Sequence, residues 1–144
     1  MKRKATAVWK GTGLEGTGSM STQSGAFTDL PYSAKLRFQN EDGTLGTNPE
    51  ELIAAAHAGC FAMALSFQLS NAGTPPEELR CEATLTMEKE EVGWTIQKIR
   101  LELQGRVPGV TDAQFQELAA KAKAGCPVSR LLKAEIELAA TLLA

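Results

Sequence analysis

The chain has 144 residues and a mass of 15.4 kDa, the size of one domain; 43% of its residues are hydrophobic and 22% are charged. This composition excludes wholesale disorder, which requires low hydrophobicity and high net charge. The net charge of −2 and the aromatic content of 6% exclude the basic surface and the base-stacking platform of a nucleic-acid-binding protein.

The N-terminus, the longest apolar segment and the cysteines together predict a cytoplasmic protein. Residues 1–10 are charged and have no apolar run behind them, so they are not a secretory signal. The most apolar stretch, residues 52–67, is shorter than the roughly 20 residues that span a bilayer. Three widely spaced cysteines do not form the framework of a secreted disulfide protein. We expect no membrane and no nucleic acid among its partners.

The first third of the chain predicts three short strands. Residues 4–10 alternate apolar and polar side chains, and residues 18–24 and 33–39 have the pattern of further strands. Residues 11–16 match the GxGxxG pattern of dinucleotide-binding proteins. That pattern binds pyrophosphate only where a helix begins directly after it, and residues 17–22 favour a strand. We therefore interpret residues 11–16 as a hairpin loop.

A long helix is predicted next. Asn48 is a good N-cap, Pro49 suits the first helical position, and Glu51 completes a capping-box pattern. The helix should end at about Asn71, because an Asn-Ala-Gly sequence and two prolines follow. It is apolar on nearly every face, which places it inside the protein.

The second half predicts a hairpin, helices and a last strand. Residues 79–89 and 94–103 form the hairpin, and a helix starts at Thr111 and ends at Gly125. The final strand covers residues 135–142. This order of elements predicts an α+β fold, with an antiparallel sheet packed on the long buried central helix in one domain of residues 1–144.

Each cysteine has a structural and a chemical interpretation. Cys60, in the middle of the apolar helix, fits a small core residue or a nucleophile. Pro127 begins a short third helix, so Cys126 is its N-cap, where the helix dipole favours a thiolate; a simple helix boundary is the alternative. Cys81 lies in a predicted strand and is interpreted as structural. His57 precedes Cys60 by three residues and could be a base or a zinc ligand, but no two cysteines have CxxC spacing, so a structural role is favoured.

Two charged residues are also open to two interpretations. Arg37 lies on the third predicted strand, where an arginine commonly points to solvent. Glu50 begins the long helix, where a carboxylate complements the helix dipole. These residues alone leave the function open.

Several segments together resemble the family of osmotically inducible protein C and organic hydroperoxide resistance proteins (OsmC/Ohr), which are thiol peroxidases. The strongest are residues 46–61, GTNPEELIAAAHAGCF, and residues 121–129, KAKAGCPVS. Residues 31–38 and 107–109 also fit, and the resemblance covers essentially the whole chain. The two cysteine motifs occur in the family's order, about 66 residues apart.

The resemblance implies roles for four residues. Cys60 corresponds to the peroxidatic cysteine, Cys126 to the resolving cysteine, and Glu50 to the active-site glutamate. Arg37 matches the arginine of the OsmC branch, whereas the Ohr branch carries its arginine earlier, and residues 5–34 contain none. The chain is therefore assigned to the OsmC branch.

The resemblance also implies an activity. Organic hydroperoxides would be reduced to alcohols through a Cys60 sulfenic acid and a Cys60–Cys126 disulfide, in defence against oxidative stress. The reductants would be dithiols, including the lipoyl groups of lipoylated proteins, and no metal or prosthetic group would be needed. Apolar neighbours such as Phe61, Leu65 and Phe67 would favour alkyl or fatty-acid substrates over hydrogen peroxide. The alternative is a non-enzymatic redox sensor or binding module that uses the same disulfide, although the chain has no basic patch to transmit such a signal to DNA.

The spacing of two of these residues predicts a dimer. Glu50 and Cys60 are ten residues apart on one helix, which places them roughly 15 Å apart along its axis, too far for a side chain to bridge. Two antiparallel copies of the helix would bring Glu50 of one chain toward Cys60 of the other. We expect an intertwined homodimer, and the resemblance independently implies an obligate homodimer with sites at the interface.

Overall fold

The fold is that of a computed structural model, which describes residues 1–40 and 43–144. The chain divides into two compact units, Met1–Leu52 and Ile53–Ala144. The boundary lies within the long helix, which begins in the first unit and continues in the second. The single domain expected for residues 1–144 stays a prediction.

The first unit contains a three-stranded antiparallel sheet. Its strands are β1 (Ala5–Lys10), β2 (Thr17–Thr22) and β3 (Leu30–Ser33), in that order across the sheet. The predicted strands 4–10 and 18–24 are thus confirmed to within two residues, and residues 11–16 form the loop between β1 and β2, as expected.

A glycine in the central strand allows two aromatic rings to pack together. Gly18 pairs with Trp9 on one side and with Tyr32 on the other. A Cβ atom at Gly18 would lie 2.5 Å from Cε1 of Tyr32 and 2.8 Å from Cε3 of Trp9. The two rings, with centroids 5.3 Å apart, therefore occupy the space that any side chain at this position would need.

The third predicted strand, residues 33–39, is wrong for most of its length. The strand ends at Ser33, and residues Ala34–Phe38 form a short helix, α1. The cause is local: the Ser33 hydroxyl accepts a hydrogen bond from the backbone N–H of Leu36 at 3.1 Å, which caps a helical turn. Arg37 consequently lies on a helix rather than on a strand.

The long helix, α2 (Pro49–Asn71), has the predicted bounds. Its N-cap is confirmed, since Oδ1 of Asn48 accepts a hydrogen bond from the backbone N–H of Glu51 at 2.8 Å. The helix is 23 residues long, longer than the apolar stretch of its sequence. By length and composition alone it could cross a membrane, a test that the core helix of a soluble protein also passes.

Within one chain, α2 is buried along a single face. His57, Phe61, Leu65 and Leu69, spaced four residues apart, form that buried face. A second stripe with the same spacing stays exposed to solvent and consists of small or apolar residues, which we call the exposed stripe: Ala55, Gly59, Met63 and Phe67. The sequence predicts a helix that lies inside the protein, and one chain covers one side of it.

The second unit contains a mixed sheet. Its strands are β4 (Glu78–Glu90), β5 (Gly93–Arg106) and β6 (Glu135–Leu143), in that order. β4 and β5 form the predicted antiparallel hairpin, but β6 pairs parallel to β5, which differs from the expected antiparallel sheet. The connection between the two strands explains their parallel pairing. The helices α3 (Asp112–Gly125) and α4 (Pro127–Leu131) return the chain to the end of the sheet where β5 begins, so β6 starts there and runs in the same direction.

The core of the second unit lies between its sheet and its helices. Besides Cys126, its fully buried members come from α2, β5 and α3: Phe61, Leu65, Leu69, Ile99, Leu101, Leu103, Phe115, Ala119 and Ala122. Phe61 and Leu65 have no exposed surface, so they are core residues and not the substrate neighbours that were expected; Phe67 is exposed. The two sheets and the helices confirm the α+β fold class.

Candidate active site

Two of the three cysteines meet in the second unit. Cys60 lies in the middle of α2, and Cys126 is the N-cap of α4 as predicted from Pro127. Their sulfur atoms are 2.8 Å apart, and both are free thiols. A disulfide has an S–S distance of about 2.05 Å, so an oxidant could join the two thiols after only a small movement of either side chain. Cys126 is fully buried and Cys60 partly so.

The surroundings of the two thiols favour ionisation of Cys126. Burial raises the pKa of Cys60, and the hydrogen bond shared with Cys126 raises it further. Burial also opposes ionisation of Cys126, but the combined effect of Cys60, the Ser129 hydroxyl and the backbone N–H groups of Val128 and Ser129 lowers its pKa. The side chain of Cys126 makes no cap hydrogen bond at the start of α4.

A polar pair, one member of which is buried, includes a residue close to Cys126 in the chain. His57, on the buried face of α2, has no exposed surface, and its Nε2 lies 2.8 Å from Oγ of Ser129 on α4. Burial lowers the pKa of His57, so its imidazole is neutral. Sequence reasoning considered His57 only as structural or as a base or metal ligand, and it missed Ser129 altogether. The position of Ser129 three residues after a helix-capping cysteine was the only available signal.

An ion pair forms in the first unit. Nε and a terminal nitrogen of Arg37 donate to the two carboxylate oxygens of Glu50, at 3.1 and 2.5 Å. This is a bidentate contact, which fixes the plane of the guanidinium. The side chain of Glu50 is 13% exposed and that of Arg37 35% exposed, so Arg37 can still contact another group. The Arg37 guanidinium also lies over the ring of Phe38, 4.9 Å from its centroid.

A cavity of about 230 Å³ lies beside this ion pair, within the first unit. Its lining combines aromatic side chains with the Arg37 guanidinium: Trp9, Tyr32, Arg37 and Phe38, with Gly13, Ser33 and Ala34 completing the wall. Such a cavity suits a ligand with an apolar body and a polar end. Sequence reasoning did not identify Trp9 as a site residue, since its partners come from two other elements.

The third cysteine takes no direct part in the thiol pair. Cys81 lies half-buried on β4, and burial together with nearby Cys126 raises its pKa from an ordinary 9.0 to about 11. Among residues 1–40 and 43–144, no group of three or more His, Cys, Asp and Glu side chains is placed to hold a metal ion.

The structure thus brings the four sequence-predicted site residues together as two pairs. Cys60 meets Cys126 in the second unit, and Arg37 meets Glu50 in the first. The first pair is a dithiol that can close to a disulfide, and the second is a positioned cation beside a partly apolar cavity. Together with the α+β fold, they define a protein built around a buried dithiol centre.

The chain belongs to the OsmC-like protein family, whose sequence profile matches residues 39–141. It is 46% identical to Peroxiredoxin OsmC of Escherichia coli, over 94% of this chain and 93% of that protein. Identity with the Organic hydroperoxide resistance protein of Xanthomonas axonopodis pv. citri is 32%, over 80% of this chain and 82% of that protein. The greater identity with the former places the chain in the OsmC branch.

The fold agrees with solved structures of the family. One match is the crystal structure of an OsmC-like protein from Mycoplasma pneumoniae, with a TM-score of 0.78 and 14% sequence identity. The match covers 100% of this chain and 99% of the chain in that crystal structure. At this identity the match shows the shared fold alone.

The raised pKa of Cys81 predicts slow modification. At pH 8, moving the pKa from 9.0 to about 11 lowers the thiolate fraction roughly 100-fold. Iodoacetamide should therefore label Cys81 about 100-fold more slowly in the folded protein than in urea, where the ordinary pKa returns. Peptide mass spectrometry measures both rates, and equal rates in the two conditions would contradict the assignment.

Proposed function

We propose that the protein is a thiol-dependent peroxidase that reduces organic hydroperoxides to alcohols, in defence against oxidative stress. The observation that carries the proposal is the distance of 2.8 Å between two free thiols, Cys60 and Cys126. The relatives named peroxiredoxin and organic hydroperoxide resistance protein support the same activity.

The chemistry takes place in two steps. The Cys60 thiolate attacks the O–O bond of the hydroperoxide, so that the sulfur gains one oxygen as a sulfenic acid and the rest leaves as an alkoxide, which takes up a proton. The Cys126 thiolate then attacks the sulfenic sulfur and displaces hydroxide, giving a disulfide and, after protonation, water. Two electrons pass from the thiols to the peroxide, and a dithiol must return them.

The first step requires a cation. Within the second unit the pKa of Cys60 is raised and that of Cys126 lowered, so the attacking thiol is the one less ready to ionise. A positive charge near Cys60 would reverse this order and stabilise the departing alkoxide. Arg37 suits that role because Glu50 fixes its guanidinium in a bidentate contact while leaving it partly exposed.

The cavity beside Arg37 supports an organic substrate. Three of its lining side chains are aromatic, and the guanidinium lies at the same cavity. An alkyl, aryl or fatty-acyl group gains free energy by leaving water for such a wall, whereas hydrogen peroxide has no apolar part to bury. We therefore propose a preference for organic hydroperoxides over hydrogen peroxide.

The remaining parts of the proposal concern its partners and its location. The reductant is a dithiol, such as a lipoyl group on another protein, since a disulfide is reduced by thiol exchange. The reaction needs no metal or prosthetic group because the sulfurs themselves carry the electrons. We place the protein in the cytoplasm, where reducing conditions return the cysteines to thiols.

We further propose an obligate homodimer in which Arg37 and Glu50 of one protomer serve Cys60 of the other. The exposed stripe of α2 supports this, since Met63 and Phe67 are 63% and 64% exposed and an apolar surface of this kind is commonly an interface. Glu50 and Cys60 lie ten residues apart on the same helix, which separates them by roughly 15 Å along its axis. A second copy of the helix would cover the stripe and supply the missing group.

Peroxide turnover tests the activity. With dihydrolipoamide as reductant, the parent protein should consume many equivalents of cumene hydroperoxide, and faster than hydrogen peroxide. Cys60→Ser should abolish consumption because the nucleophile is lost, and Cys126→Ser should consume about one equivalent and stop as a sulfenic acid. Cys81→Ser, the matched control, should continue to turn over. Turnover by Cys60→Ser, or a parent protein that stops after one equivalent, would contradict the proposal.

A mixing experiment tests the shared site. Cys60→Ser lacks the nucleophile, and Glu50→Ala loses the contact that positions Arg37, so each homodimer should be poorly active. After refolding the two together, a heterodimer would carry both lesions in one site and none in the other, and activity should partly return. Light scattering that shows a monomer at micromolar concentration, or confirmed heterodimers without recovered activity, would exclude the shared site.

A further inference from the structure

Two side-chain contacts run between the long helix α2 and the segment of the short helix α4. The sulfur atoms of Cys60 and Cys126 lie 2.8 Å apart, and Nε2 of His57 lies 2.8 Å from Oγ of Ser129. In each segment the two contact residues are three positions apart, a spacing at which helical side chains share a face. The contact of His57 therefore joins the same two elements as the thiol pair, about one helical turn from it.

The residues of α4 anchor it only weakly. The helix has five residues, fewer than the roughly 12–15 that an isolated helix needs in water. None of the residues 127–131 is fully buried, and the side chain of Leu131 is 76% exposed. A short segment with little buried apolar surface opens at a small cost in free energy. Contacts with neighbouring elements therefore determine where α4, and with it Cys126, lies.

The proposed reaction changes one of the two contacts and leaves the other intact. Cys60 becomes a sulfenic acid, so its thiol contact with Cys126 is lost at the point where Cys126 must stay within reach. His57 and Ser129 take no part in the chemistry, and their hydrogen bond can persist. Because a hydrogen bond weakens steeply as its angle departs from linearity, it fixes the position of α4 more narrowly than an apolar contact would.

The burial of His57 shows that this contact has a cost. His57 has no exposed surface, and among residues 1–40 and 43–144 its Nδ1 has no hydrogen-bond partner. Burying a polar group with one nitrogen unpaired is unfavourable, and a leucine here would avoid that cost. Ser129, by contrast, is partly buried. What His57 provides that an apolar residue does not is its hydrogen bond to α4.

We propose that the hydrogen bond between His57 and Ser129 is a tether that holds α4 on α2, so that Cys126 stays within reach of Cys60 until the disulfide forms. This inference deepens the proposed function and rests on it. Both are positioning residues, since they act on the reaction only through the location of Cys126.

The tether matters because the Cys60 sulfenic acid has a second fate. Its sulfur can attack another hydroperoxide, gaining a second oxygen as a sulfinic acid while an alcohol leaves. Formation of the disulfide competes with this reaction, and its rate depends on the effective concentration of Cys126 at the sulfenic sulfur. A docked α4 keeps that concentration high and so favours the disulfide, which a dithiol can reduce.

The redox equilibrium of the thiol pair measures the tether without any peroxide. In buffers of reduced and oxidised glutathione, the fraction of protein with a Cys60–Cys126 disulfide gives the effective concentration of one thiol at the other. Every protein carries Cys81→Ser. Ser129→Ala removes the hydrogen-bond partner of His57 and should lower this concentration about fivefold, which raises the reduction potential by about 20 mV. Ser129→Thr keeps a hydroxyl and should restore the parent equilibrium.

The matched control removes a hydrogen bond elsewhere in the second unit. The Thr111 hydroxyl accepts a hydrogen bond from the backbone N–H of Gln114 at 3.3 Å and caps α3, outside the contact between α4 and α2. Thr111→Ala should therefore lower the melting temperature, as Ser129→Ala does, but leave the glutathione equilibrium unchanged. An equal shift in Thr111→Ala would show that lost stability alone moves the equilibrium, and it would overturn the tether.

A double variant tests whether the two residues act as one contact. His57→Leu removes the same hydrogen bond from the α2 side, so His57→Leu/Ser129→Ala should shift the equilibrium no further than Ser129→Ala alone. Additive shifts, or an unchanged equilibrium in Ser129→Ala, would contradict the proposal. If His57→Leu does not fold, the comparison of Ser129→Ala with Ser129→Thr and Thr111→Ala still decides between a tether and simple packing.

Peroxide treatment separates the tether from the proposed function. With excess cumene hydroperoxide and no reductant, peptide mass spectrometry gives the ratio of Cys60 sulfinic acid to Cys60–Cys126 disulfide. This ratio should rise about fivefold in Ser129→Ala and return to the parent value in Ser129→Thr. If the parent protein forms neither product, the proposed function fails and the glutathione equilibrium still tests the tether. If the parent forms the disulfide and Ser129→Ala leaves the ratio unchanged, the tether alone fails.

Discussion

Two sulfur atoms 2.8 Å apart in a protein interior cannot both carry a charge, and this constraint governs the chemistry of the molecule. At an effective dielectric constant of about 20, two unit charges at this distance repel each other by ~6 kcal/mol. Cys60 and Cys126 therefore titrate as a pair, because ionisation of one thiol opposes ionisation of the other. Each step of a dithiol reaction depends on which sulfur holds that proton.

In the proposed reaction, groups from both units control that proton. The second unit contains the thiols, and its own groups favour the thiolate on Cys126, through the N-terminus of α4 and the Ser129 hydroxyl. The first unit contains a cation held by a carboxylate, Arg37 with Glu50, at a cavity with an aromatic wall. In the proposed reaction the Arg37 guanidinium favours ionisation of Cys60 when substrate binds. In the second step the groups around Cys126 favour ionisation of Cys126. Surroundings that favour ionisation of one sulfur and then of the other suit a reaction in which each sulfur acts once as the nucleophile.

The sequence predicted the parts of the fold that depend on neighbouring residues. The N-caps Asn48 and Thr111, the helix break at Gly125, and Cys126 followed by Pro127 are local signals, and all are confirmed. The α1 helix was missed because the periodicity of Ala34–Phe38 is too short to separate a strand from one helical turn, and the Ser33 cap decided it. The parallel pairing of β6 was missed because the direction of a strand depends on the connection before it, here about 30 residues, and not on the strand's own sequence.

The site shows the same division between local and long-range information. The resemblance carried by the motifs around Cys60 and Cys126 implied a thiol pair, and their sulfurs are in contact. Arg37 and Glu50, singled out by the same resemblance, also meet, in a bidentate contact. Ser129 and the aromatic wall of the cavity were not foreseen. His57 and Ser129 are ordinary residues in their own segments, and only the packing of α4 against α2 makes them a pair. The roles of Cys60, Cys126, Arg37 and Glu50 in the reaction stay predictions.

Mapping the disulfide tests whether the two adjacent sulfurs are the redox centre. The parent protein would be fully reduced, treated with one equivalent of cumene hydroperoxide, digested without reductant and examined by peptide mass spectrometry. We expect a disulfide between Cys60 and Cys126 within one chain, with Cys81 left as a free thiol. A disulfide between Cys60 and Cys81, a disulfide between chains, or unchanged thiols would contradict it.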